Sequence, residues 1–89
     1  MLTSGTYSGI KGVQRGTITI PSGSGSASAT ITAVNTAKTE LRFLGTVQAA
    51  SSTDYLARVF LTNATTVTAY RSNTTIIGTD VSWELTEWN

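Results

Sequence analysis

The sequence has no cysteine and no histidine, and it has a single proline among 89 residues. Without cysteine no disulfide can form, and without either residue the best ligands for a transition metal are missing. A chain this short buries only roughly 60–65% of its unfolded surface, so small domains of this kind usually gain stability from a disulfide, a metal or association. We therefore expect no cofactor, and we expect the protein to oligomerise.

A surplus of charge is also absent, because six basic residues face five acidic residues and the net charge is +1. Binding to a run of phosphates or to an anionic membrane surface requires a clear basic excess. No stretch approaches the roughly 20 apolar residues of a membrane span, and the amino terminus lacks the cationic start and apolar core of an export signal. We expect neither nucleic acid nor membrane as a partner.

Groups for acid/base and nucleophilic catalysis are scarce as well. An activated serine or threonine needs a neighbouring base, and Lys11 and Lys38, the lysines of the chain, lie in no recognisable motif. Glu84 and Glu87 are three residues apart, so on a strand they face opposite sides and cannot act as a pair. The Gly/Ser-rich residues 22–26 lack the Lys-Ser/Thr ending of a phosphate-binding loop. The sequence predicts a protein that is not an enzyme.

What the chain does contain is 18 threonines and 10 serines, a composition that favours strands. Alternation predicts six strands, with sequence neighbours paired and a hairpin at residues 63–65 in which Asn63 takes the left-handed conformation. If the first and last strands pair, Arg15 should lie near Glu84 or Glu87. We predict an all-β, six-stranded antiparallel β-sandwich or a jelly-roll-like barrel over residues 12–89, preceded by an arm, flexible or exchanged between copies, over residues 1–11. The predicted strands are residues 14–20, 26–32, 40–47, 55–62, 66–71 and 80–88.

The third and fourth predicted strands carry large apolar residues on both faces, although a single sandwich has one core. We predict that the following residues face the core: Phe43, Val47, Val59, Leu61, Val67, Val81, Trp83 and Leu85. The residues left outside form a predicted oligomer interface, in which arginine is the charged residue most enriched: Arg42, Leu44, Leu56, Arg58, Phe60 and Tyr70. The alternative is a monomer in which a one-residue bulge reverses the faces of a strand.

Three stretches together resemble the H-type lectin domain: GVQRGT at residues 12–17, LARVF at 56–60 and VSWEL at 81–85. That resemblance implies a six-stranded antiparallel sandwich that forms homotrimers. The whole chain, including LTNATTVTA at residues 61–69, is also similar in style to small virion proteins of tailed bacteriophages. The resemblance implies a homo-oligomeric structural or accessory protein, located on the virion and in contact with other virion proteins of the tail, fibre or capsid surface.

The resemblance also raises an alternative function, a carbohydrate-binding module that attaches to host-surface glycans. H-type lectins hold sugar with an acidic residue after strand one, an arginine before the strand-four motif and a histidine before the last strand. The corresponding regions here read SGSG at residues 22–25, DY at 54–55 and SNT at 72–74, which match none of the three. Glycan or partner contacts at a rim would therefore use other residues, for which the candidates are Asp54, Tyr55, Arg71 and Asn73.

Overall fold

A computed structural model describes residues 9–48, 57–71 and 78–89 of the chain. The described residues form strands joined by turns, with one turn of 3-10 helix at Thr36–Lys38. The predicted arm, residues 1–11, lies mostly outside these ranges, and its last two residues belong to the first strand. The strands are β1 (Ile10–Ile20), β2 (Ser26–Thr30), β3 (Thr39–Gln48), β4 (Ala57–Asn63), β5 (Thr66–Arg71) and β6 (Thr79–Trp88).

The strands form two antiparallel three-stranded sheets, with the order β1-β6-β3 in one and β2-β5-β4 in the other. We refer to them as sheet A and sheet B. The all-β, antiparallel character is thus confirmed, and the two sheets are consistent with the predicted sandwich. Over the residues that the structure describes, the sheets do not close into the barrel of the alternative prediction. The expectation that sequence neighbours pair was wrong for most strands, because only β4 and β5 are both consecutive and paired. The other pairings join strands distant in sequence, and alternation within one strand carries no information about its partner.

Apolar side chains from the inner faces of both sheets make the core. Sheet A contributes Ile18, Ile20, Val81, Trp83 and Leu85, and sheet B contributes Val67 and Ala69. Among the predicted core residues, Val67, Val81, Trp83 and Leu85 are buried, and Val59 and Leu61 are half-buried against them. Trp83 fits because Gly16 lies opposite it in the register, and an added Cβ at Gly16 would come within 2.9 Å of the Trp83 ring.

Phe43 contradicts the predicted core, since it is 47% exposed. β3 is an edge strand, and its register with β6 shifts between Phe43 and Gly45, so that Leu44 is the extra residue of a bulge. Gly45 has φ of 141°, a conformation that favours glycine. After the bulge Thr46, rather than Val47, stands opposite the core residue Val81. The inserted residue reverses the alternation only after Leu44. Phe43 precedes the bulge, stands opposite Trp83 in the register and is exposed on the edge strand of the sheet.

The connection after β2 crosses from sheet B to sheet A and is fixed by side chains of sheet A. The Gln14 amide donates from Nε2 to the Thr32 carbonyl over 3.0 Å and accepts from the Thr32 N–H over 2.9 Å, as a paired strand would. The Glu87 carboxylate accepts the Asn35 N–H over 2.8 Å and lies 3.8 Å from Nζ of Lys11. These contacts close the end of the sandwich opposite the β1–β2 turn.

The β4–β5 hairpin forms where it was predicted, but by a different turn. In the described residues no amino acid other than glycine has positive φ, so the left-handed Asn63 was a wrong expectation. Its side-chain Oδ1 instead accepts the Thr65 N–H over 2.9 Å and the Thr65 hydroxyl over 3.1 Å. Asparagine therefore stabilises this turn as a hydrogen-bond acceptor.

Candidate interaction face

The outer face of sheet B carries an exposed group of one cation and two aromatic rings. Residues 58, 60 and 70 alternate with the inward residues of β4 and β5, which places all three side chains on the solvent side. Arg58 stands directly opposite Tyr70 in the register, and Phe60 is opposite Thr68. We call Arg58, Phe60 and Tyr70 the Arg58 cluster.

Within the Arg58 cluster the guanidinium lies against both rings. Its Cζ is 5.1 Å from the ring centroid of Tyr70 and 6.0 Å from that of Phe60. At these distances a guanidinium is attracted by the ring electrons, by about 0.5–1 kcal/mol at an exposed site. Phe60 and Tyr70 nevertheless remain 41% exposed each. The cluster is therefore preorganised and still accessible.

Beside the Arg58 cluster runs a row of hydroxyl groups that crosses sheet B. Thr68 on the central strand hydrogen-bonds to Thr62 on β4 and, over 3.0 Å, to Ser28 on β2. These hydroxyls satisfy one another without a ligand. The row gives the apolar part of the face a polar margin, the arrangement typical of a protein interface.

The outer face of sheet A has a different character, because cross-strand polar pairs join β1 and β6 along its length. Arg15 Nε donates to Glu84 Oε2 over 2.7 Å, and the hydroxyl of Thr19 donates to Asp80 over 2.7 Å. Between them Thr17 and Ser82 share a hydrogen bond of 3.2 Å. The conditional prediction that Arg15 meets Glu84 is confirmed. From Arg15 to Thr19 sheet A thus presents an outer surface of paired polar groups, and Val13, which is 40% exposed, precedes them on the same face.

The structure brings together three of the six predicted interface residues. Arg42 belongs to the outer face of sheet A, where Nη2 lies 3.4 Å from Glu40, and is therefore not part of the Arg58 cluster. Leu44 is at the β3 bulge and is 53% exposed. Leu56 lies outside the described residues. The exposure of Phe43, next to Leu44, was not predicted, because alternation within one strand does not show that β3 lies at the edge of its sheet.

The predicted rim site loses Arg71, whose side chain is buried and 1% exposed. Its guanidinium donates to the Thr79 hydroxyl over 2.6 Å and to the carbonyls of Ser24 and Pro21 over 3.1 and 3.2 Å. Arg71 therefore joins the end of β5 to the β1–β2 turn and to β6. The other rim candidates, Asp54, Tyr55 and Asn73, lie outside the described residues.

Carboxylates are dispersed over the described part of the chain. Over residues 9–48, 57–71 and 78–89, no three acidic, histidine or cysteine side chains form a group that could hold a metal ion. No helix in those ranges is long and apolar enough to cross a membrane. The strongest feature that remains as a candidate site is the Arg58 cluster.

Comparison with known proteins gives no relative for this chain. A scan of protein-family models, a search of curated proteins and a search of solved structures each find no match.

Proposed function

We propose that this chain is a structural subunit that assembles with copies of itself, as a homo-oligomer and most simply a trimer, through the outer face of sheet B. Its role is binding and assembly rather than catalysis. The observation that carries the proposal is the Arg58 cluster, in which two aromatic rings and an arginine stand exposed on a sheet face. Aromatic and arginine side chains dominate the binding energy of protein interfaces.

The contrast between the two outer faces supports this assignment. On sheet A, Arg15 and Glu84 form an ion pair, and hydroxyls pair across the strands beside them. On sheet B the rings of Phe60 and Tyr70 remain in water, although the neighbouring hydroxyls are satisfied. Covering these rings would remove apolar surface from water at about 25 cal/mol per Å². Contact with a partner is the simplest way to remove the apolar surface of these rings from water.

The biological setting we propose is the virion of a tailed bacteriophage, with the protein on the tail, a fibre or the capsid surface. This step rests on the resemblance of residues 12–17, 56–60 and 81–85 to H-type lectins and of the chain to small virion proteins. The two antiparallel three-stranded sheets are compatible with an H-type lectin-like sandwich. Gln14 and Trp83, which lie in two of the stretches, respectively fix the β2–β3 connection and fill the core.

Carbohydrate binding is the weaker alternative. An aromatic ring that stacks on sugar needs an open face, whereas Arg58 lies over Tyr70 and near Phe60. Arg71, one of the four rim candidates, is buried in hydrogen bonds within the sandwich. A glycan array tests this alternative directly, and our proposal predicts no signal above that of a heat-denatured sample.

Two measurements test the proposed function at separate levels. Sedimentation equilibrium of the wild-type chain should give a mass near three subunits at micromolar concentration, and a folded monomer there would contradict assembly. Cryo-microscopy of particles from a phage that encodes this chain should show density for it on the tail, a fibre or the capsid. Density at none of these places would contradict the virion assignment.

A further inference from the structure

The two sheets have four edge strands, and three of them are poor templates for another strand. β2 is five residues long, β3 is interrupted by the bulge at Leu44, and β4 has a register shift between Leu61 and Asn63. Short strands and bulges are the usual ways in which proteins blunt an exposed edge. The fourth edge, β1, has neither feature over most of its length.

β1 runs regularly from Gly12 to Ile20, between a register shift at Lys11 and the proline at position 21. Along this stretch β1 pairs with β6 on one side. In the part of the chain that the structure describes, no backbone hydrogen bond reaches its other side. Over these nine residues, the backbone N–H and C=O groups of every second residue point to the free side and are a template for an added strand.

We propose that β1 pairs with β1 of a second copy, antiparallel and about a two-fold axis at Gly16. The two copies then share one six-stranded sheet with the order β3-β6-β1-β1-β6-β3. This contact uses an edge of sheet A and is therefore separate from the Arg58 cluster on sheet B. It does not depend on the function proposed above.

The sequence of β1 fixes the register of this pairing. An axis at Gly16 places Gly12 opposite Ile20, so that the whole regular stretch is paired and the bulge and the proline stay outside it. Arg15 then stands opposite Thr17 of the second copy. An axis one position earlier would put Arg15 opposite Arg15, and like charges directly opposite each other destabilise a strand pair.

A second copy is favoured over an unrelated strand because β1 is complementary to itself in this register. Residues 13, 15, 17 and 19 face outward and residues 12, 14, 16, 18 and 20 face inward, so each pair across the axis brings together side chains of the same face. Outward pairs join Val13 with Thr19 and Arg15 with Thr17, with no like charges among them. The shared sheet keeps its apolar inner face continuous across the junction.

Disulfide cross-linking tests the register of the β1 pairing. Because the chain has no native cysteine, only the introduced cysteines can form disulfides. Val13→Cys and Thr19→Cys are prepared separately, mixed and oxidised. Cβ atoms of directly opposed strand residues lie about 4.5–5.5 Å apart, so a small movement of the strands brings them to the roughly 3.5–4.5 Å of a disulfide. Mixed dimers should exceed dimers of either variant alone by roughly tenfold, since self-pairs would be out of register. Equal yields of the three dimers would overturn the proposal.

Charge substitutions at position 17 test the same contact in solution. Both substitutions at position 17 are made in the Phe60→Asp variant, in which we expect no association through the Arg58 cluster. Any dimer that this variant forms is then attributed to β1. Thr17→Lys opposes Arg15 of the second copy and should raise the dimer dissociation constant roughly three- to tenfold, while Thr17→Glu should lower it similarly. Within one chain the charges nearest to position 17 are Asp80 and Glu84 on β6 and Arg15 on β1, which are present in the monomer as well as in the dimer.

Sedimentation equilibrium of folded protein, verified by circular dichroism, gives these constants. Opposite shifts for the two substitutions support the β1 pairing. Shifts of the same sign, or no dimer at millimolar concentration, overturn it. If assembly through the Arg58 cluster is lost and the β1 dimer is retained, the β1 pairing still holds. The two proposals therefore fail in distinguishable ways.

Discussion

Arg71 Nη1 donates a 2.6 Å hydrogen bond to Oγ1 of Thr79, and each of these two residues is 1% exposed. The bond joins the last residue of β5 in sheet B to the first residue of β6 in sheet A. The same guanidinium also donates to the carbonyls of Pro21 and Ser24, so a charged donor is held inside the sandwich. Arg71 is thus a structural residue that connects the sheets.

Thr79→Val keeps the shape of the side chain and removes this acceptor. We expect a loss of about 1.5–3 kcal/mol in the free energy of unfolding, because the bond involves a buried charged group. Urea unfolding at one fixed protein concentration measures it. The control is Thr17→Val, which removes an exposed hydroxyl paired with Ser82 and should change stability by less than about 0.5 kcal/mol. Equal losses for the two variants would contradict the role of Arg71.

Gly16→Ala should destabilise the sandwich by crowding Trp83. The added Cβ would lie 2.9 Å from Cζ2 and 3.1 Å from Cε2 of a ring that is buried in the core. Overpacking of this kind costs about 1–3 kcal/mol, which thermal and urea unfolding would detect.

The matched control for that substitution is Gly12→Ala on the same strand, where an added Cβ meets no atom within 4 Å. We expect a change near zero or a small gain, because alanine restricts the unfolded chain. If Gly12→Ala were as harmful as Gly16→Ala, the contact with Trp83 would not be the cause.

The ion pair between Arg15 and Glu84 should contribute little. Its arginine side chain is 66% exposed, and exposed pairs contribute about 0.2–1 kcal/mol. A double-mutant cycle with Arg15→Ala and Glu84→Ala should give a coupling energy in this range that falls towards zero in 1 M NaCl. A coupling above about 2 kcal/mol, or one that salt leaves unchanged, would show that the pair is shielded from solvent.

Phe43 provides a test of side-chain exposure on the edge strand β3. Because the side chain is 47% exposed, Phe43→Ala should cost less than about 1.5 kcal/mol of unfolding free energy. Leu85→Ala is the reference, since Leu85 is 1% exposed and a core leucine truncation costs about 2–5 kcal/mol. Equal costs would indicate that Phe43 is buried in the core.

Alternation of side chains predicted the positions of the strands well, because it reports which residues can share one face of a strand. The bounds of β5 agree with the prediction, and β6 differs by one residue. The same alternation indicates that Arg71 is buried, because it lies two positions after the inward residue Ala69 on β5. The general preference of arginine for solvent misled the prediction at that position.

Pairing and bulges could not be read from alternation. The partner of β1 is β6, and paired residues are between 59 (Ile20 and Thr79) and 78 (Ile10 and Trp88) positions apart, so no local pattern specifies this pairing. The Leu44 bulge adds one residue to β3, so that Thr46 rather than Val47 stands opposite Val81 in the register. Phe43 precedes the bulge and was assigned to the core because alternation does not reveal that β3 is an edge strand. Of the interface residues, Arg58, Phe60 and Tyr70 were grouped correctly because β4 and β5 form a local hairpin, whereas Arg42 lies on the other sheet.

The most direct test of the proposed assembly is the sedimentation of Phe60→Asp beside Thr30→Asp. Thr30 lies on the same outer face of sheet B, but on β2, the edge strand away from the Arg58 cluster. Both variants add the same charge to the same face. We predict that Phe60→Asp loses the face-dependent oligomer at micromolar concentration, because a carboxylate would be buried where a ring was covered, while Thr30→Asp keeps it. An unchanged oligomer in folded Phe60→Asp would contradict the account.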